Sequence, residues 1–442
     1  MSLSRRRLLV SGAIAAATGA LAPVASFAGR VSKESQPDLR GWPAVRAQFD
    51  LDPAYTHLGL FYLTSHPRPV RASIERFRQL LDRNPFLTVE QGMFDPQHHN
   101  LSGDVVGALG RYTGLDPQDI APTSNTTTGL SIIYHGLPLK SGDEILTTTH
   151  DHYVHHEAIR FAAERAGATW RRIPLFNSHD SISEDDIVDR IRKGIGPKTR
   201  VLGVTWVHSS SGLKLPIRRI AATVAEVNKA RGQDDRLLLV VDGVHGLGVE
   251  DPKIATLGAD AFAAGLHKWI FAPRGTGFVW AKPEVWATMR PLIPSFLSGE
   301  EFLAWEDDRP PKTPLRAAMF APGGFQSFEH HWAVPAAIEF HEQIGPSRIT
   351  DRIHALNAQM REGLAKMPHV VVYTPAKREL SAGLVCFDVK GMKSEDIVQR
   401  LLAKKIVAST TPYKIAYARL ACGIMNTPAE VDQTLAAIRA LG

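Results

Sequence analysis

Two ionisable residues in the middle of the chain have types and positions suited to acid–base chemistry. Asp242 follows the apolar run 237–241, and Lys268 lies in the stretch 265–277 (GLHKWIFAPRGTG). The run is typical of a buried strand, and the stretch is expected to follow the next strand. Because the carboxyl ends of parallel strands meet at one edge of a sheet, a carboxylate and an amine are expected in the same cleft.

A carboxylate and an amine in one cleft are the pair that pyridoxal phosphate requires. A lysine with a lowered pKa holds the aldehyde as a Schiff base, and an aspartate keeps the ring nitrogen protonated, so that the ring withdraws electrons from the substrate. The phosphate needs donors, and the stretch 123–130 (TSNTTTGL) lies where a helix is expected to begin. Backbone N–H groups at a helix N-terminus bind dianions. The sequence therefore predicts a pyridoxal-phosphate site.

These motifs, in this order and spacing, resemble those of class V aminotransferases. That family consists of fold-type I pyridoxal-phosphate enzymes and includes cysteine desulfurases and isopenicillin N epimerase-like proteins. The resemblance extends over roughly residues 50–435. It is strongest toward the epimerase-like branch, whose lysine motif is similar to HKWxxAPRGxG at residues 267–277.

The resemblance implies a role for each matching residue. Lys268 would form the Schiff base and shuttle the proton, and Asp242 would pair with the pyridine nitrogen. His152 would stack on the cofactor ring, with His155 or His156 as the alternative if the alignment is shifted. The remaining cofactor contacts would hold the phosphate (Thr126, Thr127, His267 and, from the neighbouring subunit, Thr276) or lie beside the ring hydroxyl (Ser209 and His245). An active site shared in this way implies a homodimer.

The resemblance also indicates where the substrate binds. Arg419 matches the arginine that grips the substrate carboxylate, and a guanidinium pairs with a carboxylate through two parallel hydrogen bonds. The stretch 57–63 (HLGLFYL) departs from the Asn/Gly-rich turn of relatives. Phe61 and Tyr62 in this stretch predict a different substrate pocket, so epimerisation of a β-lactam precursor does not follow from the resemblance.

These features predict an enzyme that binds the amino group of an amino acid or peptide as an external aldimine and removes the Cα proton with Lys268. Reprotonation at the same carbon is racemisation, reprotonation at the cofactor is transamination, and loss of a β-group is elimination; the sequence leaves these outcomes open. By analogy with periplasmic relatives of the epimerase-like branch, a peptide siderophore is one substrate hypothesis.

Two other functions are weighed against this one. A cysteine desulfurase or a lyase catalysing β-elimination is the alternative enzyme, and sulfur transfer is disfavoured because the loop around residues 408–412 has no cysteine. A protein that keeps the fold and binds ligands without catalysis is the alternative class. It would leave the joint presence of Lys268, Asp242 and Arg419 unexplained.

Four neighbouring histidines offer a further chemistry, the binding of a metal ion. His150, His152, His155 and His156 include pairs at the helical spacing that zinc sites use. No third ligand is implied, and the family resemblance already assigns His152 to the cofactor. We therefore predict no metal site.

The elements around these residues alternate between strand-like and helical patterns. Strand-like runs at 144–148, 200–207 and 237–241 are separated by helical segments at 184–193 and 217–230. This alternation predicts an α/β protein with a mostly parallel, doubly wound sheet, as in the large domain of fold type I. The expected domains are an N-terminal arm (29–70), a large cofactor-binding domain (71–310) and a smaller α+β C-terminal domain (311–442).

The first 28 residues have the three parts of an export signal. Residues 4–9 (SRRRLL) contain the paired arginine of the twin-arginine route, an apolar stretch rich in Gly and Ala follows, and residues 25–28 (ASFA) resemble a cleavage site. The apolar stretch is shorter than the ~20 residues that span a bilayer, so we predict no stable membrane insertion. Transport of the folded protein by the twin-arginine translocase predicts a periplasmic location.

Composition excludes several other classes of protein. The chain has 442 residues, of which 44% are hydrophobic and 22% charged, and its two cysteines cannot form a disulfide framework. The net charge of +6 falls to +3 without residues 1–28, which contain three arginines and no acids. There is no basic stripe interleaved with aromatic residues, so we predict no nucleic-acid binding.

Overall fold

The computed structural model describes residues 38–95, 97–312 and 314–442, and the expected export signal at 1–28 lies outside the described residues. The described part of the expected arm contains helix α1 (Trp42–Arg46) and a two-residue strand, β1 (Thr56–His57). Three helices follow, α2 (Arg68–Arg83), α3 (Pro85–Val89) and α4 (Leu101–Thr113), with a turn of π-helix at Glu90–Phe94.

Seven strands form the central sheet. They are β2 (Ile120–Thr123), β3 (Glu144–Thr148), β4 (Thr169–Ile173), β5 (Thr199–Thr205), β6 (Leu238–Asp242), β7 (Ala261–Gly265) and β8 (Gly277–Ala281). Their order in the sheet is β2-β8-β7-β6-β5-β3-β4, in which β8 runs antiparallel to both of its neighbours and the other pairs are parallel. The predicted α/β fold with a mostly parallel sheet is confirmed.

Helices pack on the central sheet, so its middle strands are buried on both faces. They are α5 (Thr126–Gly136), α6 (Tyr153–Ala166), α7 (Glu184–Gly194), α8 (Ile217–Asn228) and α9 (Pro283–Trp286), and a further helix, α10 (Gly299–Glu306), follows them in the chain. Strands with two covered faces have continuous apolar sequences, and this explains the runs in β5, β6 and β7. The apolar runs end where the strands reach the edge that holds the polar residues.

The C-terminal part contains a second, smaller sheet. Its helices are α11 (Phe328–His331), α12 (Val334–Ile344), α13 (Pro346–Ala365), α14 (Ser394–Ala403) and α15 (Pro428–Arg439). Its strands are β9 (Val370–Val372), β10 (Val385–Val389), β11 (Ile406–Val407), β12 (Ser409–Thr410) and β13 (Ala418–Leu420). Four of them form an antiparallel sheet in the order β12-β13-β10-β9, and β11 pairs in parallel with β1.

Six single turns of 3-10 helix complete the described elements: Pro117–Asp119, His179–Ser181, Gln233–Asp235, Ile254–Thr256, Ala317–Phe320 and Arg378–Leu380. Within the described ranges, no helix combines the length and the apolar character needed to cross a bilayer.

Three apolar clusters stabilise this arrangement. Two of them contain the side chains of the central sheet, and the third lies in the small C-terminal sheet. Phe320 packs with the central sheet, as do Phe340 and Ile344 of α12, whereas Leu364 and Phe387 belong to the third cluster. The segment after residue 311 therefore packs on the large sheet before the chain enters the small one, and the domain division at 311 stays a prediction.

Candidate active site

Strands β2, β3, β5, β6 and β7 end at one edge of the central sheet, where they and the loop between β12 and β13 enclose a cavity of about 300 Å³. A cavity of this size is within the range that binds small molecules. Every predicted site residue except Thr276 lines it: Phe61, Tyr62, Thr126, Thr127, His152, Ser209, Asp242, His245, His267, Lys268 and Arg419. The structure therefore brings together residues from both the large sheet and the small one.

Lys268 lies in the loop that follows β7, at the floor of the cavity. Its Nζ atom is 3.3 Å from Nε2 of His245, and Nδ1 of His245 accepts a hydrogen bond of 3.2 Å from Nε1 of Trp269. Burial lowers the pKa of Lys268 to about 8, an effect that the charge of Asp242 opposes. A lysine with this pKa has a substantial neutral fraction near pH 8, as a nucleophile or a base requires.

Asp242 is the last residue of β6 and is 3% exposed. Its Oδ1 atom accepts one hydrogen bond of 3.1 Å, from the backbone N–H of Val244. Burial raises the pKa of Asp242 to about 6, although that hydrogen bond and the charge of Lys268 act in the opposite direction. A buried carboxylate with so little compensation is stabilised by a cationic N–H donor placed in the cavity.

The N-terminus of α5 forms the anion-binding end of the cavity. The helix begins at Thr126 because the Asn125 side chain accepts a hydrogen bond of 2.9 Å from the N–H of Thr128. The N–H groups of Thr126 and Thr127 have no partner within the helix and lie at its positive end. The Thr126 hydroxyl accepts a hydrogen bond of 2.8 Å from the N–H of Gly265, which fixes α5 against β7.

Thr276 lies in the loop between β7 and β8 and does not line the cavity of its own chain. It is 1% exposed, and its hydroxyl donates a hydrogen bond of 2.5 Å to the carbonyl of Pro273. Its own carbonyl oxygen lies 3.4 Å from Nδ1 of His267. The hydroxyl is thus satisfied within its own loop, and its expected role on the phosphate of a neighbouring subunit stays a prediction.

The histidines near α6 have distinct surroundings. His152 lies at the N-cap of α6 and lines the cavity, and burial lowers its pKa to about 4, so its ring is neutral. His155 contacts the hydroxyls of Tyr134 at 2.6 Å and Thr205 at 3.3 Å, and His156 contacts the carbonyl of Thr148 at 2.7 Å. Of these three histidines, His152 is therefore the one that lines the cavity.

Arg419 on β13 forms the wall opposite the large sheet. Its Nη1 atom donates a hydrogen bond of 2.8 Å to the carbonyl of Ser209, and its Nε atom donates to the hydroxyl of Ser409 at 3.3 Å. The guanidinium lies 4.3 Å from the ring centroid of Phe61, in cation–π contact. These three contacts fix the guanidinium in the cavity, where it can bind a carboxylate.

Two functional features were missed by the sequence analysis. Tyr413 lines the cavity and its hydroxyl lies 2.7 Å from that of Ser209. Asp151, buried beneath the cavity, accepts hydrogen bonds from Thr147, Thr148 and Thr205 and lies 3.3 Å from Nε2 of His208. The only available signal was their position in loops that follow strands, which many residues share.

The asymmetry of the cavity fits pyridoxal phosphate. One end has free helix N–H groups for a phosphate, the floor has an amine of lowered pKa for an aldehyde, and Asp242 offers a buried carboxylate to a ring N–H. Thr126, Thr127 and His267 would hold the phosphate, Asp242 the ring nitrogen and His152 the ring face. Fold and site together define the class as fold-type I pyridoxal-phosphate enzymes.

The family is shown by comparison with known proteins. A model of the family "Aminotransferase class-V" matches residues 112–433, and the chain belongs to this family. The family uses pyridoxal phosphate, which confirms the predicted cofactor and the predicted family.

Individual relatives support two branches of the family. The chain is 29% identical to the isopenicillin N epimerase of Amycolatopsis lactamdurans, over 78% of this chain and 84% of that protein. It is 27% identical to the isopenicillin N epimerase of Streptomyces clavuligerus, over 90% and 98%. A probable cysteine desulfurase of Halalkalibacterium halodurans is 27% identical, over 65% and 66%.

Solved structures show the same fold at lower identity. A variant of C-DES with glycine covalently linked to its pyridoxal-phosphate cofactor has a TM-score of 0.76 and 23% identity, over 90% of this chain and 99% of that one. The cysteine desulfurase of Thermococcus onnurineus has a TM-score of 0.74 and 19% identity, over 90% and 97%.

Proposed function

We propose that this protein is an exported enzyme that transfers a proton at the Cα atom of an amino acid, either free or part of a peptide, with an epimerase-type outcome. The observation that carries the proposal is the placement of Lys268, Asp242 and Arg419 around one cavity. The similarity to isopenicillin N epimerases over most of the chain supports the choice of reaction.

Each of the three residues contributes a distinct step. Arg419 binds the substrate carboxylate and thereby orients the Cα–H bond, since its guanidinium is already fixed by Ser209 and Ser409. Burial lowers the pKa of the Lys268 amine to about 8, and in its neutral form this amine accepts the Cα proton. Bound pyridoxal phosphate supplies an electron sink for the negative charge that develops at Cα. Asp242 stabilises a positive charge at the far end of the cavity, which strengthens that sink.

The cysteines argue against the desulfurase alternative. Neither Cys386 nor Cys422 lines the cavity, both are fully buried, and burial raises the pKa of each thiol to about 12. A sulfur-transferring cysteine must be accessible and reach its thiolate form. The loop after β12 contributes Pro412 and Tyr413, rather than a cysteine, to the cavity wall.

The mouth of the cavity favours a substrate that extends beyond it. Tyr62 and Tyr153 line the cavity and remain 73% and 62% exposed. Exposed aromatic rings at the rim offer stacking surface to groups attached to the reacting amino acid. This supports an amino-acid unit of a larger molecule, such as a peptide, as the substrate.

We further propose export by the twin-arginine route to the periplasm, followed by function as a homodimer. The leader motif at residues 4–9 supports the first statement. Exposed apolar side chains support the second, since Phe296 and Phe325 are 48% and 77% exposed with ring centroids 6.0 Å apart. Cell fractionation with and without an Arg5→Lys/Arg6→Lys leader tests export, and analytical ultracentrifugation of the holoenzyme tests the dimer.

Deuterium exchange tests the proposed reaction. The holoenzyme is incubated with both enantiomers of a panel of amino acids and short peptides in D2O, and Cα-deuteration and inversion are followed by NMR and chiral chromatography. We expect deuteration and inversion without stoichiometric 2-oxo acid. Formation of 2-oxo acid together with the pyridoxamine form of the cofactor would instead show an aminotransferase, and release of sulfide would show a desulfurase or lyase.

A further inference from the structure

We propose that Tyr413 is the second proton-transferring residue of the cavity, acting on the face of the substrate opposite to the one that Lys268 serves. This inference rests on the proposed Cα proton transfer and specifies how it inverts a centre. Inversion by two residues requires one group that removes a proton and another that delivers one from a different direction. Lys268 and Tyr413 are two groups of this kind that line the cavity, and their loops follow strands of different sheets.

A continuous series of contacts connects Lys268 with Tyr413. Lys268 contacts His245, whose ring lies 6.2 Å from that of Phe61, and Phe61 supports Arg419. Arg419 in turn donates to Ser209, whose hydroxyl lies 2.7 Å from that of Tyr413. Both ends of this series line the same cavity. Lys268 therefore reaches a bound molecule from the floor, and Tyr413 reaches it from the small-sheet side.

The orientation of Tyr413 is fixed by two neighbours. Its hydroxyl is held by Ser209, and its ring meets the His152 ring edge to face, with centroids 5.8 Å apart and an interplanar angle of 84°. His152 is the residue that would cover one face of a bound cofactor. The Tyr413 hydroxyl would then act from the His152 side of the cavity, whereas the amine of Lys268 lies beside His245 on the floor.

The surroundings of Tyr413 suit a donor that must afterwards exist as phenolate. Burial raises the pKa of Tyr413, so the phenol is protonated and ready to donate. The hydrogen bond with Ser209 and the charge of Arg419 act in the opposite direction, because both stabilise the phenolate. Arg419 is therefore placed to bind the substrate carboxylate and to compensate the charge that remains after donation.

The proton balance closes without another reactant. In one direction the Lys268 amine takes the Cα proton and becomes an ammonium, and Tyr413 Oη gives its proton to Cα and becomes a phenolate. Exchange with water returns the proton from the ammonium and restores the phenol. In the reverse direction the phenolate is the base and the ammonium is the acid, so each enantiomer is served by one form of the enzyme.

Glycine is the probe that tests this assignment, because its Cα has one hydrogen on each face. The holoenzyme is incubated with glycine in D2O, and NMR follows conversion of the CH2 group to CHD and then CD2. The wild type should reach CD2. Tyr413→Phe should stop at CHD of a single configuration, with exchange of the second hydrogen reduced at least ~100-fold, the scale of one general acid–base group.

Two controls separate proton transfer from a structural role. Tyr417→Phe removes a phenol that lies outside the cavity, stacked on Tyr373 at 3.9 Å, and should behave as the wild type. The dissociation constant for pyridoxal phosphate, measured by absorbance titration of the apo protein, should change less than ~3-fold in Tyr413→Phe. A large loss of cofactor affinity, with both exchanges slowed equally, would show that Tyr413 only holds the site together and would overturn the proposal.

The remaining outcomes are also decisive. If Tyr413→Phe reaches CD2 at the wild-type ratio of rates, the second residue is not Tyr413, while the proposed reaction stands. If the wild type itself stops at CHD, Cα proton transfer stands, but the epimerase-type outcome and this inference both fail. If the wild type exchanges neither hydrogen, the proposed Cα proton transfer fails and this inference fails with it.

Discussion

The Nε2 atom of His245 lies 3.3 Å from Nζ of Lys268, a contact that favours the neutral form of both groups. Nδ1 of His245 accepts the indole N–H of Trp269, so in the neutral ring the proton is on Nε2. An Nε2–H group can donate to a neutral amine but not to an ammonium. Burial lowers the pKa of both His245 and Lys268, in agreement with a neutral pair.

Trp269→Phe should raise the pKa of Lys268. Without the indole donor, His245 can carry its proton on Nδ1, and Nε2 then accepts from an ammonium. Capture of pyridoxal phosphate by the apo protein requires the neutral amine, so its rate should fall as the pH decreases through about 8 in the wild type. In Trp269→Phe this midpoint should move up by about one pH unit. Stopped-flow absorbance measures it, with Trp280→Phe on β8 as the control, and equal midpoints would disprove the coupling.

Borohydride reduction should attach the cofactor to Lys268. Because the amine is buried with a pKa of about 8, it is expected to form the imine in preference to surface lysines. The reduced holoenzyme is digested and the labelled peptide is identified by mass spectrometry. Lys268→Ala should remain unlabelled, and a label on any other lysine would reject the assignment.

Asp242→Asn should stabilise the apo protein and impair the enzyme. The carboxyl group has a pKa of about 6 in the folded state against an ordinary value of 3.8, so the folded state binds the proton more tightly. The resulting penalty grows as the pH rises from about 4 to about 6 and corresponds to about 3 kcal/mol above that. Urea unfolding of the apo variant should show a gain of that order at pH 8 and none at pH 4. Turnover of the loaded variant should fall at least ~100-fold, because a neutral amide does not stabilise positive charge.

Arg419→Lys should weaken the binding of substrates that have a carboxylate. The guanidinium donates to Ser209 and Ser409 and has a further N–H group available to the cavity. A lysine keeps the positive charge but cannot make all of these contacts. A charged hydrogen bond contributes about 1.5–3 kcal/mol, so KM for an amino acid should rise about 10- to 100-fold. The matching amine without a carboxylate should show little change. Equal effects on both compounds would mean that the carboxylate is bound elsewhere.

Asp151→Asn should destabilise the fold. Burial alone would raise the pKa of Asp151. The pKa nevertheless lies well below its ordinary value because of the contact with His208, the charge of His155 and the hydrogen bond from Thr148. This stabilisation is complete above about pH 4 and is lost as the pH falls further. Removing one partner of a buried pair costs about 3–5 kcal/mol, which urea unfolding at pH 7 measures. Asp251→Asn, whose side chain is 61% exposed, is the control and should change stability little.

The core of the site could be predicted because its residues end apolar strands. Asp242 lies at the end of β6 and Lys268 lies just after β7, and these two buried strands are adjacent and parallel. The carboxyl ends of parallel strands lie at one edge of the sheet, so the two side chains are brought to that edge. Thr126 and Thr127 could be predicted because Asn125 is a strong helix cap. In each case a local pattern determines where the side chain lies.

Other parts depend on contacts that local patterns do not encode. Tyr413 meets Ser209 from 204 residues away, through a loop of the small sheet. The hydroxyl of Thr276 is satisfied by the carbonyl of Pro273, which depends on the exact turn of that loop. The packing of Phe320 and Phe340 on the large sheet likewise depends on how the chain folds back after residue 311.

Strand β1 pairs with β11, so an early and a late segment of the described chain together form part of the site wall. The N–H of Leu58 donates to Val407, its carbonyl accepts from Ala421, and three residues later Phe61 lies against Arg419. On the ribosome, the arm emerges long before its partners at residues 406–421. A nascent chain therefore has an incomplete site until these partners have emerged, and only then can it retain its vitamin-derived group.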